Sequence, residues 1–483
     1  MENTIVIFGA SGDLTSRKLI PALYELKRKG RLPDGTRIVG TSRTEFSHAE
    51  WRERLAQSTA EFVGQRFDRK VWDELAPSVF YQPGDMDSPE LFPKLREFLA
   101  ELEAGRATTR LYYLSTAPRF YEPAARGLGA AGMASETDAP RRIVIEKPFG
   151  TDLASARALN KVVHETFAEH QVYRIDHYLG KETVSNILAL RFANTIFEPV
   201  WNRNYIDHVQ ITAAESVTIG HRAGFYESAG VLRDMFQNHL LQLFTLTAME
   251  APARLDADAI RDEKVKVLRA VRPMREEDVA RDTIRGQYRK YRDEPNVDPR
   301  SQTATFGAVK LSVDNWRWQG VPFYLRSLKA SSCRTTQIVI QFRHPPHMMF
   351  ESDSKPFDAN RLVLQIQPAE GIQIHFMTKV PDSGMKLRMT DLDFSFRNQY
   401  AGGMPEAYQR LLLDVINGDA SLFARSDEVE LAWGIIDPIQ RVWESSSAPP
   451  LAFYAEGDWG PAASSQWMAG QGRAWFDLCP VLH

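Results

Sequence analysis

The chain has 483 residues, 43% of them hydrophobic and 25% charged, a globular composition long enough for two or three domains and a large core, which excludes a disordered or fibrous protein. Its 59 basic and 62 acidic residues leave a formal charge of −3, so there is no global basic field of the kind that attracts nucleic acid. The two cysteines, Cys333 and Cys479, lack metal-ligand spacing, so neither a disulfide framework nor a metal site is expected, and a reducing cytoplasm fits.

The N-terminus MENTIVIFGASG has no basic n-region, and no run of about eighteen apolar residues follows anywhere, so neither secretion nor membrane insertion is expected. Residues 1–175 alternate short apolar runs with amphipathic stretches: TIVIF, RKLIPALYELKRKG, RIVGT, then LYYLS, RRIVIE and VYRI. That alternation predicts a parallel sheet covered by helices. From residue 176 the pattern changes. Two long helical segments, about 181–198 and 225–250, precede strand-like HVQIT, FGAVKLSVD, TQIVIQFR, RLVLQIQP, IQIHFMTKV and LRMTDLDFSF. Helical segments near 404–417 and 426–443 close this half. The expectation is an α/β domain over 1–175 and an α+β domain over 176–483 built on a large, mainly antiparallel sheet.

Several local signals carry chemistry. In IVIFGASGDLTSRKL a buried strand runs into Gly9, Ala10, Ser11 and Gly12, and a helix starts directly at Asp13 and Leu14. Glycines stand where the backbone must turn and approach a pyrophosphate at a helix N-terminus, although the spacing is G-x-x-G and lacks the third glycine of the usual fingerprint. The next strand ends without a carboxylate and with Arg43, whose guanidinium suits a 2′-phosphate, so NADP is expected over NAD. RRIVIEKPFG ends a strand with Lys147 at its carboxyl end, where ligands of parallel sheets bind. In RIDHYLGKE, a solvated turn is the plain reading of a charged stretch; a helix after Gly180 would instead turn His177 and Lys181 to one side as a phosphate clamp, with the Tyr178 hydroxyl beside them. Asp234 and Asn238 lie one turn apart on an otherwise apolar helix, with His239 at the edge of that polar stripe. A polar stripe on a buried helix needs partners or a cavity.

Together these stretches resemble the glucose-6-phosphate dehydrogenase family. The resemblance runs from GASGDLTSRKL through EKPFG, RIDHYLGKETVSNILALRFAN, RDMFQNHLLQL, IRDEKVKVL, NWRWQGVPFYLR and YQRLLLD to the closing WGP, nearly the whole chain. It implies a Rossmann domain followed by an α+β domain whose sheet helps form a homodimer or homotetramer. The implied reaction takes glucose 6-phosphate to 6-phosphogluconolactone with hydride transfer from C1 to NADP. By the same resemblance, His177, Tyr178 and Lys181 hold the 6-phosphate, Lys329 and Arg334 close the phosphate end, and Glu215 and Asp234 bind sugar hydroxyls. Residues 9–14, Arg43 and Lys147 bind NADP, with Lys147 also near the sugar. His239 is the expected base at the C1 hydroxyl and Asp176 the carboxylate that orients it.

Two positions depart from the family's pattern: in its R-[ST]-G-K segment Leu328 stands where a glycine is usual, and further on Arg334 stands where a lysine is common. If that glycine has positive φ, leucine there costs about 1 kcal/mol and displaces Lys329. A different sugar phosphate or amino-sugar phosphate is the alternative substrate. An oxidoreductase of the glucose–fructose type would lack a phosphate clamp, and a catalytically idle homologue would lack the Asp176, His239 and Lys147 set that this chain keeps.

Overall fold

The structure, a computed structural model, describes residues 2–350, 358–399 and 404–479. Contacts within the chain divide it into two units: Met1–Lys181 with Ala253–Arg261 and Pro405–Glu430, and Glu182–Pro252 with Asp262–Met404 and Leu431–His483.

The first unit is built on six strands, β1 (Glu2–Phe8), β2 (Arg37–Thr41), β3 (Val79–Tyr81), β4 (Thr108–Leu114), β5 (Arg141–Ile145) and β6 (Val172–Arg174). Their order is β3-β2-β1-β4-β5-β6, and every neighbouring pair is parallel. In β1 the run Ile5, Val6, Ile7 and Phe8 is wholly buried, as a strand covered by helices on both faces must be. This is the doubly wound arrangement whose strand order reverses between β1 and β4, and the crevice past their carboxyl ends is where such sheets bind nucleotides. Flanking helices carry local start signals. At His48–Val63, Ser47 accepts from the Glu50 amide (3.2 Å) and Glu50 accepts from the Ser47 amide (2.8 Å).

Contacts also group segments that lie far apart in the sequence. The helices near 404–417 and 426–443 were expected with the large sheet; Ala407–Asn417, and Ser426–Trp443 as far as Glu430, group with the first unit. Arg142 donates to the Val415 and Ile416 carbonyls (2.6 and 2.7 Å), placing a guanidinium on the negative end of Ala407–Asn417. Lys29, just past the helix Ile20–Arg28 of the same unit, donates to Gln409 (2.8 Å). Such contacts join residues hundreds of positions apart, and periodicity carries no trace of them.

The second unit holds β7 (Ile206–Ala214), β8 (Thr283–Tyr288), β9 (Phe306–Ser312), β10 (Pro322–Leu328), β11 (Thr335–Phe342), β12 (Arg361–Gln367), β13 (Gly371–Lys379), β14 (Leu387–Ser395) and β15 (Ala452–Tyr454). They form one sheet in the order β14-β13-β12-β11-β7-β10-β9-β8-β15. Only β7/β10 and β8/β15 pair in parallel, so the sheet is large and mainly antiparallel, as expected. Strands β8, β10 and β15 were not foreseen. β10 is buried throughout and carries Arg326 at its centre, a charge that reads as loop. The Arg326 guanidinium is held by Asp477 (2.6 Å) and lies 4.2 Å from the Trp475 ring centre.

The structure corrects the expectation for the cysteines. Cys333 and Cys479 are joined in a disulfide, with Cα atoms 6.0 Å apart across 146 residues of chain. The C-terminal segment returns along the sheet: Gln210 donates to the Ala474 carbonyl (2.9 Å), the Phe476 amide donates to Gln210 (2.9 Å), and Gln337 donates to the Phe476 carbonyl (3.0 Å). Two cysteines that far apart give no spacing signal. Among the described residues, no helix is long and apolar enough to cross a membrane.

Candidate active site

In the first unit the turn after β1 is set by Gly9, at φ +81°, where an added Cβ would lie 2.1 Å from the Ser115 carbonyl oxygen at the end of β4. Only glycine allows both the left-handed backbone and that approach. The Gly9 and Ala10 amides both donate to the Thr41 carbonyl (2.9 and 3.1 Å), and the Gly12 amide donates to the Gly9 carbonyl (2.9 Å). The chain is helical from Asp13 and Leu14, passing through a π-helical turn at Thr15–Leu19 into Ile20–Arg28. Thr15 ties the turn by donating to Ser115 Oγ (3.1 Å), and Ser42 does so by donating to Ser11 Oγ (3.0 Å). Arg43, just past β2, is exposed and has no partner among the described residues.

At the end of β5, Glu146 accepts from the Tyr113 hydroxyl (2.5 Å) and the Tyr408 hydroxyl (3.1 Å). Burial raises the Glu146 carboxyl above its usual range, with the Asp176 charge acting in the same direction. Lys147 follows, half-buried, and its bond to Pro148 is cis. Asp176 is 2% exposed and accepts from the Tyr178 amide (2.9 Å). The Tyr178 and His177 rings meet edge to face at 5.2 Å, and Lys181 Nζ lies 5.5 Å from the Tyr178 ring centre. The structure therefore brings Asp176, Tyr178, His177 and Lys181 into one turn. The helix expected after Gly180 follows as Glu182–Phe192, and residues 177–180 are turn, so it is the turn and not a helix face that gathers the four. The carboxylate of Asp176, bonded two residues ahead, closes the turn.

In the second unit the segment expected as one helix is three. Ala223–Val231 ends in a kink at Gly230 (φ 57°, ψ −179°), Leu232–Leu240 is π-helical, and Leu241–Ala248 is α-helical. The π segment matters because its i→i+5 bonding returns every fifth residue to nearly the same side, whereas an α-helix carries it well past. Asp234 and His239 are five apart, so the histidine placed at the edge of the stripe by α-helical spacing joins it. Both are buried, at 6% and 1% exposure. The His239 amide donates to Asn238 Oδ1 (2.6 Å).

Lys329, just past β10, is 4% exposed and ion-paired with Glu215 and with Asp234 (3.3 Å). Its ammonium lies 5.5 Å from the centre of the Tyr226 ring. Burial pushes the Tyr226 hydroxyl well above its usual range, and the Asp234 charge adds to that. Leu328 ends β10 and is buried; the left-handed residue is Ala330, at φ +53°. A leucine in place of the family's glycine therefore strains nothing at that position. Arg334 is exposed and, among the described residues, reaches Gln367 Oε1 alone (3.4 Å). Tyr226, Tyr113 and Tyr408 were not singled out from the sequence. For Tyr113 a signal existed, since a hydroxyl inside a buried strand requires a partner.

Both parts of the chain match models of one family. Residues 6–186 match the glucose-6-phosphate dehydrogenase NAD binding domain, and residues 188–476 match the C-terminal domain. The chain belongs to the glucose-6-phosphate dehydrogenase family. It is 43% identical over 484 residues to the glucose-6-phosphate 1-dehydrogenase of Rhizobium meliloti (strain 1021), covering 98% of this chain and 97% of that one. Against the Zymomonas mobilis enzyme of the same name it is 44% identical over 490 residues, covering 98% and 99%. Among solved structures, a glucose-6-phosphate dehydrogenase in complex with its substrate glucose-6-phosphate superposes with a TM-score of 0.91 at 36% identity, covering 98% of both chains. The glucose-6-phosphate 1-dehydrogenase from Mycobacterium avium gives a TM-score of 0.87 at 35% identity over 99% of both.

Proposed function

We propose that this chain oxidises glucose 6-phosphate at C1 to 6-phosphoglucono-1,5-lactone with NADP as hydride acceptor, the reaction that opens the oxidative pentose phosphate pathway. The observation that carries this reading is full-length similarity to the family together with a buried π-helical stripe of Asp234 and His239 tied to Lys329. NADP supplies the hydride acceptor when bound. The turn at Gly9 to Leu14 has the shape to receive its pyrophosphate, because the backbone there carries no side chain at Gly9 and leads straight into a helix N-terminus. Arg43, exposed and without a partner among the described residues, takes the 2′-phosphate, and Lys147 meets the cofactor and the sugar.

On the sugar, His239 takes the C1 hydroxyl proton and Asp176 holds the imidazole in the tautomer that can accept it. His177, Tyr178 and Lys181 take the 6-phosphate, Lys329 and Arg334 close the phosphate end, and Glu215 and Asp234 accept from sugar hydroxyls. Lys329 has a second effect: by compensating Glu215 and Asp234 it lowers the repulsion those carboxylates exert on a phosphate dianion. The enzyme works as a homodimer or homotetramer in the cytoplasm. In support of association, Leu392 and Phe394 of β14 are 59% and 38% exposed on the last strand of the sheet.

The test is nicotinamide reduction with glucose 6-phosphate, glucose and glucosamine 6-phosphate, for the wild type and His239→Asn. The first substrate should be preferred with NADP. His239→Asn should lose about 10²–10⁴-fold in kcat with KM little changed. A near-normal kcat in the variant removes His239 as the base, and preference for another sugar phosphate removes the substrate assignment.

A further inference from the structure

The connection between β10 and β11 has two parts that are held differently. Residues 329–331 are fixed by backbone bonds: the Lys329 amide donates to the Thr305 carbonyl (3.1 Å), Ala330 to Val217 (3.0 Å) and Ser331 to Glu215 (2.9 Å). The Tyr454 hydroxyl donates to the Lys329 carbonyl (2.8 Å), and the Gly457 amide to the Ala330 carbonyl (2.8 Å). Residues 332–334 make no backbone hydrogen bond among the described residues outside the strand ladder, and Arg334 has one long contact, to Gln367 at 3.4 Å. What ties this second part down is the bond from Cys333 to Cys479. The other end of that bond is firm, because Asp477, two residues before Cys479, holds the buried Arg326 and the backbone at 474 and 476 is bonded to Gln210 and Gln337.

We propose that Cys333 and Cys479 are positioning residues for the substrate: their disulfide holds Arg334 where a phosphate meets it, and reduction of the bond loosens that side of the site. This rests on the assignment of Arg334 to the phosphate end in the proposed function. The bond is open to exchange, since Cys479 is exposed and Cys333 half-buried. A dithiol reduces it in two steps: one thiolate attacks a protein sulfur to form a mixed disulfide, and the second thiol then releases the protein as two thiols. The dithiol leaves as its own disulfide, having given up two electrons and two protons. An exposed bridge of this kind, outside any disulfide framework, is the type that responds to thiol poise. Sugar-phosphate affinity thereby depends on the redox state of the surroundings, while His239, on a different element, keeps its place.

The experiment uses the full-length enzyme prepared without reductant. A thiol reagent under denaturing conditions should find no free thiol before dithiothreitol treatment and two after it. Reduction should raise KM for glucose 6-phosphate by about 3- to 10-fold, part of the loss expected for a charge-assisted contact, while kcat and KM for NADP stay within about twofold. Reoxidation should restore the original KM. Cys333→Ser and Cys479→Ser should each match the reduced enzyme and lose the response to dithiothreitol. Arg334→Ala separates the two readings. If it raises KM but reduction does not, the positioning role falls and the substrate assignment stands. If Arg334→Ala leaves KM unchanged, the phosphate assignment of Arg334 falls and the positioning role with it. Two free thiols in the enzyme as prepared also overturn the inference.

Discussion

Lys329→Met tests the buried charge cluster most directly, because it keeps the aliphatic stem and removes the ammonium. Lys329 and Asp234 are each 5% exposed at their side chains and 3.3 Å apart. At an effective dielectric of about 20, two unit charges at that separation attract by roughly 5 kcal/mol. Desolvation takes back part of that in the wild type, but removing the ammonium takes a counter-charge from a buried carboxylate, and breaking a buried pair on one side typically costs about 3–5 kcal/mol. The expected result is a loss of about 3 kcal/mol in urea unfolding at pH 8, with the slope against urea unchanged. Adding Asp234→Asn to Lys329→Met should recover part of the stability, because the lysine and aspartate act as a pair. A loss under about 1 kcal/mol, not relieved by the second substitution, would show that the cluster is solvated and that the ion pair contributes little.

Two more expectations follow from other parts of the structure. Arg43→Ala should raise KM for NADP by about 10- to 100-fold, the loss of a charge-assisted contact, and leave NAD use nearly unchanged; equal losses for both cofactors would remove Arg43 from the 2′-phosphate. His208 is 5% exposed, shares 2.6 Å with Asp207 Oδ2 and receives the Gln210 amide at Nε2 (2.9 Å), and burial lowers its pKa below the ordinary 6.5. A histidine depressed in the fold contributes stability that is present above the unfolded value and is lost as pH falls, so stability should decline from about pH 7 toward pH 5, and His208→Gln should flatten that decline; an unchanged slope in the variant would assign the decline to other groups.

The chain displayed in its sequence whatever depends on near neighbours. The runs around Val6, Val39 and Val144 are continuous apolar stretches because their strands are buried on both faces, and the turn at Gly9 announced itself because the strand, glycine and helix are adjacent. Distant compensation was hidden. Arg326 broke the apolar run of β10, and its counter-charge at Asp477 and the Trp475 ring lie about 150 residues away. The helix Ala407–Asn417 reads as an ordinary amphipathic segment, and nothing in its period says that Arg142 and Lys29 receive it. The disulfide has the same character.

The candidate site was legible in residue type and obscured in geometry. Asp234, Asn238 and His239 stood out because polar groups on an apolar helix need a reason, but spacing of 3.6 residues per turn left His239 at the edge. The change of period between Leu232 and Leu240 is what moves it, and no residue type encodes a π-helix as plainly as glycine encodes a left-handed turn. The nearest local cause is Gly230, whose φ of 57° breaks the preceding helix and lets the Val231 amide bond to the Ala304 carbonyl (3.0 Å), so the new segment starts from the sheet. The same displacement explains Leu328. The family's glycine suggested that a left-handed residue precedes Lys329, yet the left-handed residue follows it, at Ala330, where amides bonded to Val217 and Glu215 on either side hold the backbone against the cost of about 1–2 kcal/mol. A substitution read as a threat to Lys329 therefore falls on a strand residue, and the lysine is held from both sides by backbone bonds that no side chain at Leu328 can disturb.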